Sequence, residues 1–222
     1  MSSNSILYST KQNAPTAEYD ALDMAYDHFN AMLFEGRLPL VMITLRGGKR
    51  VRGYFAPERF SSRTEETNAH ELAMNVDHFE GRADKEILST LVHEMTHVYQ
   101  HVFGNPSRGG YHNSEWAGIM ENVGLIASDT GQPGGKRTGQ RVTHYIVDGG
   151  PFDKACADLL SSGFALTWQS KKSGGTDKPK AKKDKVKYTC PDCKTNAWGK
   201  PRLHLVCGEC QLRLCADDDN ER

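Results

Sequence analysis

Residues 93–101 read HEMTHVYQH, three histidines at successive four-residue intervals with a glutamate directly after the first. On a helix, residues four apart lie about 40° apart in azimuth and one turn apart along the axis, so His93 and His97 can turn two imidazoles onto one ion. Zinc suits such a pair. Glu94 lies about 100° further round from His93, close enough to hold a water on that ion and angled away from ligating it. In that arrangement a metal lowers the pKa of the water and the carboxylate takes its proton, which is the chemistry of hydrolysis. His101 continues the spacing but lies about 12 Å of helix rise from His93, too far for one ion to be shared by both. It is placed outside the site.

A third ligand must come from elsewhere. The stretch GGYHNSEW (109–116) supplies His112 after a glycine-rich turn that can fold back, and His112 is our choice. The rivals are carboxylates of the next segment, Glu115 or Glu121. Three neutral histidines leave the ion one full positive charge more than two histidines and a glutamate, which favours acidifying the water. A longer metal motif with its third histidine six residues beyond His97 fails, because Phe103 stands there and Gln100 takes the place of its glycine. For a donor to the oxyanion of a tetrahedral transition state, the sequence offers Tyr99, Tyr111 and Tyr145 without choosing among them.

A second cluster lies near the C-terminus. CPDCKTNAWGKPRLHLVCGEC sets Cys190 and Cys193 in one CxxC and Cys207 and Cys210 in another, 13 residues apart. Two knuckles joined by a short hairpin are the sequence form of a zinc ribbon, in which four thiolates close a tetrahedral shell. A module of about 30 residues has too little core to fold unaided, so this zinc is expected to be structural. Trp198, Lys200, Arg202 and His204 stand between the knuckles, an aromatic among cations suited to stacking on bases and pairing with phosphates. Cys156 and Cys215 are left over and read as inert thiols.

These residues need elements to carry them. Leu22, Ala25, Tyr26, Phe29, Met32 and Leu33 recur at three- and four-residue steps and predict a helix from Ala17 to the turn at Gly36 and Pro39. Segments 41–46, 51–55 and 71–77 predict short strands of one small sheet. A helix capped by Asp84 and stopped by Gly104 carries the histidines on an amphipathic frame. A further helix is expected from Asn113 or Ser114 through 128, a strand at 141–147 and a short helix at 152–160. Residues 170–187, with eight lysines, two aspartates and Val186 as the one large apolar side chain, predict a flexible basic linker. The organisation expected is an α+β body over 17–169 after a loose N-terminus at 1–16, then the linker, a ribbon over 188–215 and an acidic tail at 216–222.

Formal net charge is zero, but residues 1–170 hold 15 Lys+Arg against 20 Asp+Glu and residues 171–222 hold 13 against 8. An acidic body with a basic tail suggests a partner that is a polyanion, DNA above all, with Lys182 and Lys183 of the linker among the contacts. No apolar run approaches the roughly 20 residues of a membrane span, and no basic-then-hydrophobic leader opens the chain. The expected location is intracellular: cytoplasmic, or nucleoid-associated in a prokaryote.

FNAMLFEGRLP, GYF, HEMTHVYQH, YHNSEWAGIMENVGL and YTCPDCKTNAWGKPRLHLVCGEC, in that order, resemble the SprT-like family, which includes the Spartan proteases. The resemblance implies a zincin-like metalloprotease domain with a small sheet and an HExxH helix. It also implies that His93, His97 and His112 bind zinc with Glu94 as general base. In the Spartan branch it further implies DNA-dependent cleavage of proteins crosslinked to DNA. The competing expectation is a DNA-binding or adaptor protein that retains the metal fold without proteolysis. An intact Glu94 speaks against it, since a purely structural site has no use for that carboxylate.

Overall fold

The computed structural model describes residues 14–48, 51–171 and 185–216. The linker lysines Lys182 and Lys183 and the acidic tail beyond 216 lie outside them. The chain divides into two compact units, Met1–Lys171 and Lys172–Arg222. Both α-helices and β-strands build the first unit, and short strands build the second.

In the first unit, helix α1 (Ala14–Leu33) begins three residues earlier than the sequence pattern indicated. Strands β1 (Val41–Arg46), β2 (Gly53–Ser61) and β3 (Asn68–Asn75) form one sheet in the order β1-β3-β2. β1 runs parallel to β3 and β2 antiparallel to it. Strand β2 outruns the expected 51–55 because its ladder shifts register between Ala56 and Phe60, where the Glu58 N–H leaves the ladder and donates to His70 Nδ1 at 2.9 Å. Alternation puts Ile43, Leu72 and Met74 on the core face, and Thr44, Arg46, Tyr54 and Glu71 on the other.

There the Glu71 carboxylate accepts from Thr44 (2.7 Å), Arg46 (2.6 Å) and Tyr54 (3.2 Å). Burial raises its pKa, but those three hydrogen bonds with the Arg46 charge outweigh burial and hold it below the ordinary value.

Helix α2 (Asp84–Phe103) lies across the core face. Its N-cap is Ala83, not Asp84: the Glu86 carboxylate reaches back to the Ala83 N–H at 3.2 Å, and Asp84 accepts from Leu166 N–H instead. Ile87, Leu88, Leu91, Val92, Met95 and Val98 are buried along one side, each contributing about 1.5–3 kcal/mol by area burial.

Helix α3 (Ser114–Asn122) is capped by Asn113, whose Oδ1 accepts Trp116 N–H at 2.9 Å. It ends well short of 128. Gly124, at φ +82, turns the chain, and Leu125–Ser128 becomes strand β4, paired antiparallel with β5 (Thr143–Ile146). Helix α4 (Pro151–Ser161) closes the unit by stacking Phe152 on Phe29 of α1 at 5.6 Å.

In the second unit, β6 (Val186–Thr189) pairs with both β7 (Asn196–Gly199) and β8 (Cys215–Ala216). Its buried residues among those described are Tyr188, Cys190, Cys207 and Leu214. No helix among the described residues is long and apolar enough to cross a membrane.

Candidate metal centre

His93, Glu94 and His97 sit in the buried middle of α2, where the rigid helix fixes their separation. His112 reaches them because the chain after α2 doubles back. Gln100 Nε2 donates to Asn113 Oδ1 (2.8 Å) and Glu115 Oε2 (2.7 Å), and Glu115 accepts the Asn105 N–H (2.8 Å). These bonds pin both ends of the return loop. His112 then forms a bridge with Gly139, its N–H donating at 2.8 Å and its carbonyl accepting at 3.0 Å.

The ligand atoms of the three histidines all lie within 4.8 Å of one another. Trp116 packs against all three rings, with centroids 4.8, 5.0 and 4.3 Å from His93, His97 and His112. Glu115 and Glu121, the alternative third ligands, are engaged elsewhere: Glu115 with Gln100 and Asn105, and Glu121 with Arg137 at 2.6 Å. His101 stands apart, in edge contact with His70 (5.2 Å) and tilted against Phe55 (5.6 Å). Of the tyrosines, Tyr99 accepts from Arg37 at 3.2 Å on the face of α2 turned from the cluster, and strand alternation turns Tyr145 from the side His144 occupies. Tyr111, beside His112, is partly exposed.

The donor set suits zinc. Burial lowers all three imidazole pKa values, to about 3 for His97, so the rings are neutral at pH 7 with a lone pair to give. His112 Nδ1 lies 3.1 Å from the Gly139 carbonyl, which can only accept; Nδ1 therefore carries the proton and Nε2 the lone pair.

Glu94 is buried, and burial pushes its carboxyl up to about 8, against a smaller lowering by the Phe55 N–H. A nearby divalent cation opposes that rise and leaves a carboxylate basic enough to accept a proton near neutrality. Gly53 makes the approach of β2 to Glu94 feasible: a Cβ there would meet Ala73 O at 2.9 Å and Glu94 Cγ and Oε1 at 3.1 Å.

Two residues at this site escaped the sequence reading. His144 on β5 lies 3.1 Å from His93, Nδ1 to Nδ1, and its Nε2 lies 2.9 Å from Ser89 Oγ. A single histidine in a short strand carries no spacing signal, and neither does a serine on the helix.

The cysteines form the second cluster. The ligand atoms of Cys190, Cys193, Cys207 and Cys210 lie within 4.8 Å of one another. The two knuckles repeat one design. Lys194 and Gln211, each directly after a second cysteine, adopt φ of 61° and 56°, and each side chain returns to the carbonyl after the first cysteine, Pro191 at 2.6 Å and Gly208 at 2.8 Å. Hydrogen bonding with Thr195 favours the thiolate at Cys193, whereas Asp192 and Cys193 favour the thiol at Cys210, so metal binding there would displace a proton. Trp198 is 63% exposed on β7, opposite Lys187 in register.

Two histidines one turn apart on a helix, the glutamate between them and a third histidine from a return loop define a metalloprotease-like domain. The SprT-like family model matches residues 22–140, and the chain belongs to that family. Over 52 residues it is 50% identical to the "Uncharacterized protein in mucB 3'region" of Salmonella typhimurium, a match covering 23% of this chain and 70% of that protein. No solved structure matches.

Proposed function

We propose that the first unit is a zinc-dependent endopeptidase acting on proteins bound or crosslinked to DNA. The observation that carries the reading is the convergence of the His93, His97 and His112 ligand atoms within 4.8 Å of one another, with Glu94 buried on the same helix as two of them. His93, His97 and His112 would hold the ion, which supplies Lewis acidity toward a peptide carbonyl and lowers the pKa of a water. Glu94 takes the proton of the attacking water and returns it to the leaving nitrogen. Gly53 and the Phe55 N–H fix the carboxylate while it does so.

The four cysteines would hold a structural zinc, making the C-terminal unit a zinc ribbon. Exposed Trp198, with Lys200, Arg202 and the linker's Lys182 and Lys183, would supply a stacking surface and cations for DNA. Binding there raises the protease concentration near DNA-bound substrates.

The test compares wild type with Glu94→Gln on a DNA-bound protein substrate, with and without single-stranded DNA, after the zinc content of each is measured. Cleavage that needs DNA and drops by roughly 10²–10⁴-fold in the variant supports the reading. If both proteins carry zinc and bind DNA yet neither cuts, the adaptor reading replaces it.

A further inference from the structure

The hydrogen bonds around His144 can be traced donor by donor. Ser89 has one hydroxyl proton, and its Oγ lies 2.8 Å from the Glu86 carbonyl, which can only accept. The proton therefore goes to Glu86. Ser89 Oγ must then accept from His144 Nε2, 2.9 Å away, so His144 is protonated on Nε2 and bare on Nδ1. Across the 3.1 Å contact, His93 Nδ1 must donate to that bare nitrogen. His93 is thereby left with its lone pair on Nε2. Both nitrogens of His144 are used, one by Ser89 and one by His93, so it has none left for an ion.

We propose that His144 is a positioning residue of the metal centre: a relay from Glu86 O through Ser89 and His144 fixes the tautomer and ring orientation of His93, presenting Nε2 to the ion. The proposal rests on the metal-centre reading above. It gives residues 129–146 a double purpose, since the same excursion supplies Gly139, which sets the tautomer of His112, and His144, which sets that of His93. His144 reaches its place because β5 pairs it with Ala127 across the antiparallel ladder, from which its ring extends to His93 and Ser89 of α2. A hydrogen-bonded partner of a ligating histidine commonly affects metal affinity by about 10–100-fold.

The test uses the full-length protein with ¹⁵N-labelled histidine, zinc-loaded and metal-depleted, together with His144→Ala, His144→Asn and Ser89→Ala. Imidazole nitrogen shifts report tautomers directly. The expectation is a proton on Nδ1 of His93 and on Nε2 of His144, the latter perturbed in Ser89→Ala. Chelator competition should show zinc held about 10–100-fold more weakly by His144→Ala at the histidine site. Cobalt substitution separates the sites, because thiolate charge-transfer bands mark the cysteines alone. His144→Asn, whose amide oxygen replaces Nδ1 as acceptor, should stay within about threefold of wild type.

The opposite tautomers, unchanged affinity in His144→Ala, or equal losses in the alanine and asparagine variants would each overturn the relay. A wild-type protein with no zinc at the histidines would instead overturn the metal-centre reading and take the relay with it.

Discussion

The three histidines are carried by a unit whose core runs from Leu22 to Leu159, whereas the four cysteines belong to a unit whose buried residues, among those described, are Tyr188, Cys190, Cys207 and Leu214. In the first unit the imidazoles are carried by elements with a core of their own: α2, the return loop pinned by Gln100, and the β4–β5 pair. In the second, the ligands make up half of the core. On the function proposed above, one cluster would present an ion for chemistry and the other would use an ion to fold.

Metal removal tests this division with the largest effect. Ordering about 30 residues costs on the order of 1.5 kcal/mol each, and four buried side chains, two of them cysteines, cannot offset that. A strong chelator should therefore abolish amide dispersion throughout 185–216 while leaving that of 17–169 in place, followed by NMR of the full chain. Cys207→Ser should do the same without a chelator. Persistence of the second unit's dispersion in the metal-free protein would erase the contrast.

The second test stays in the body. Gly53→Ala sets a methyl against the Ala73 carbonyl and the Glu94 side chain, and the carbonyl cannot move without disturbing β3. Displacement of the carboxylate should lower kcat by about 10–100-fold. Zinc content at both clusters should stay unchanged, since no ligand is touched. Parallel losses of zinc and kcat would mean that Gly53 shapes the ligand cage and not the base.

The third test concerns pH and the scaffold. Glu71 has a depressed folded-state pKa, so its contribution is complete above the ordinary carboxyl value of 4.5 and is lost as pH falls through the lower folded value. Glu71→Gln should cost about 1–3 kcal/mol at pH 7 in chemical denaturation of the metal-free body. That difference from wild type should shrink toward acid. A gap that widened toward acid would reverse the sign assigned to Glu71.

Much of this site was legible because helices broadcast spacing. His93, Glu94 and His97 and the paired cysteines have fixed offsets that mean the same thing in any fold. The return of His112 was legible through the glycines before it. β4 was not: LIAS is a short apolar run that suits helix or strand equally, and the turn at Gly124 decides between them. Nor was the register shift in β2, which depends on Glu58 finding His70 across the sheet. His144 and Ser89 lie 55 positions apart, and only the reach of the His144 side chain from β5 to α2 joins them.

The smallest effect marks the edge of the centre. His101 repeats the four-residue spacing, and sequence periodicity alone would enrol it, yet helix rise carries it to Phe55 and His70. His70 is no companion ligand for it there. Its Nδ1 accepts from Glu58 N–H, so Nε2 holds the proton in the neutral ring. His101→Ala should therefore leave zinc affinity within about twofold, and should lower stability by about 0.5–1.5 kcal/mol through lost ring contacts. Chelator competition and thermal unfolding read the two quantities separately. A marked loss of zinc with little loss of stability would extend the centre a turn further along α2 and make the spacing, not the fold, the better guide to its ligands.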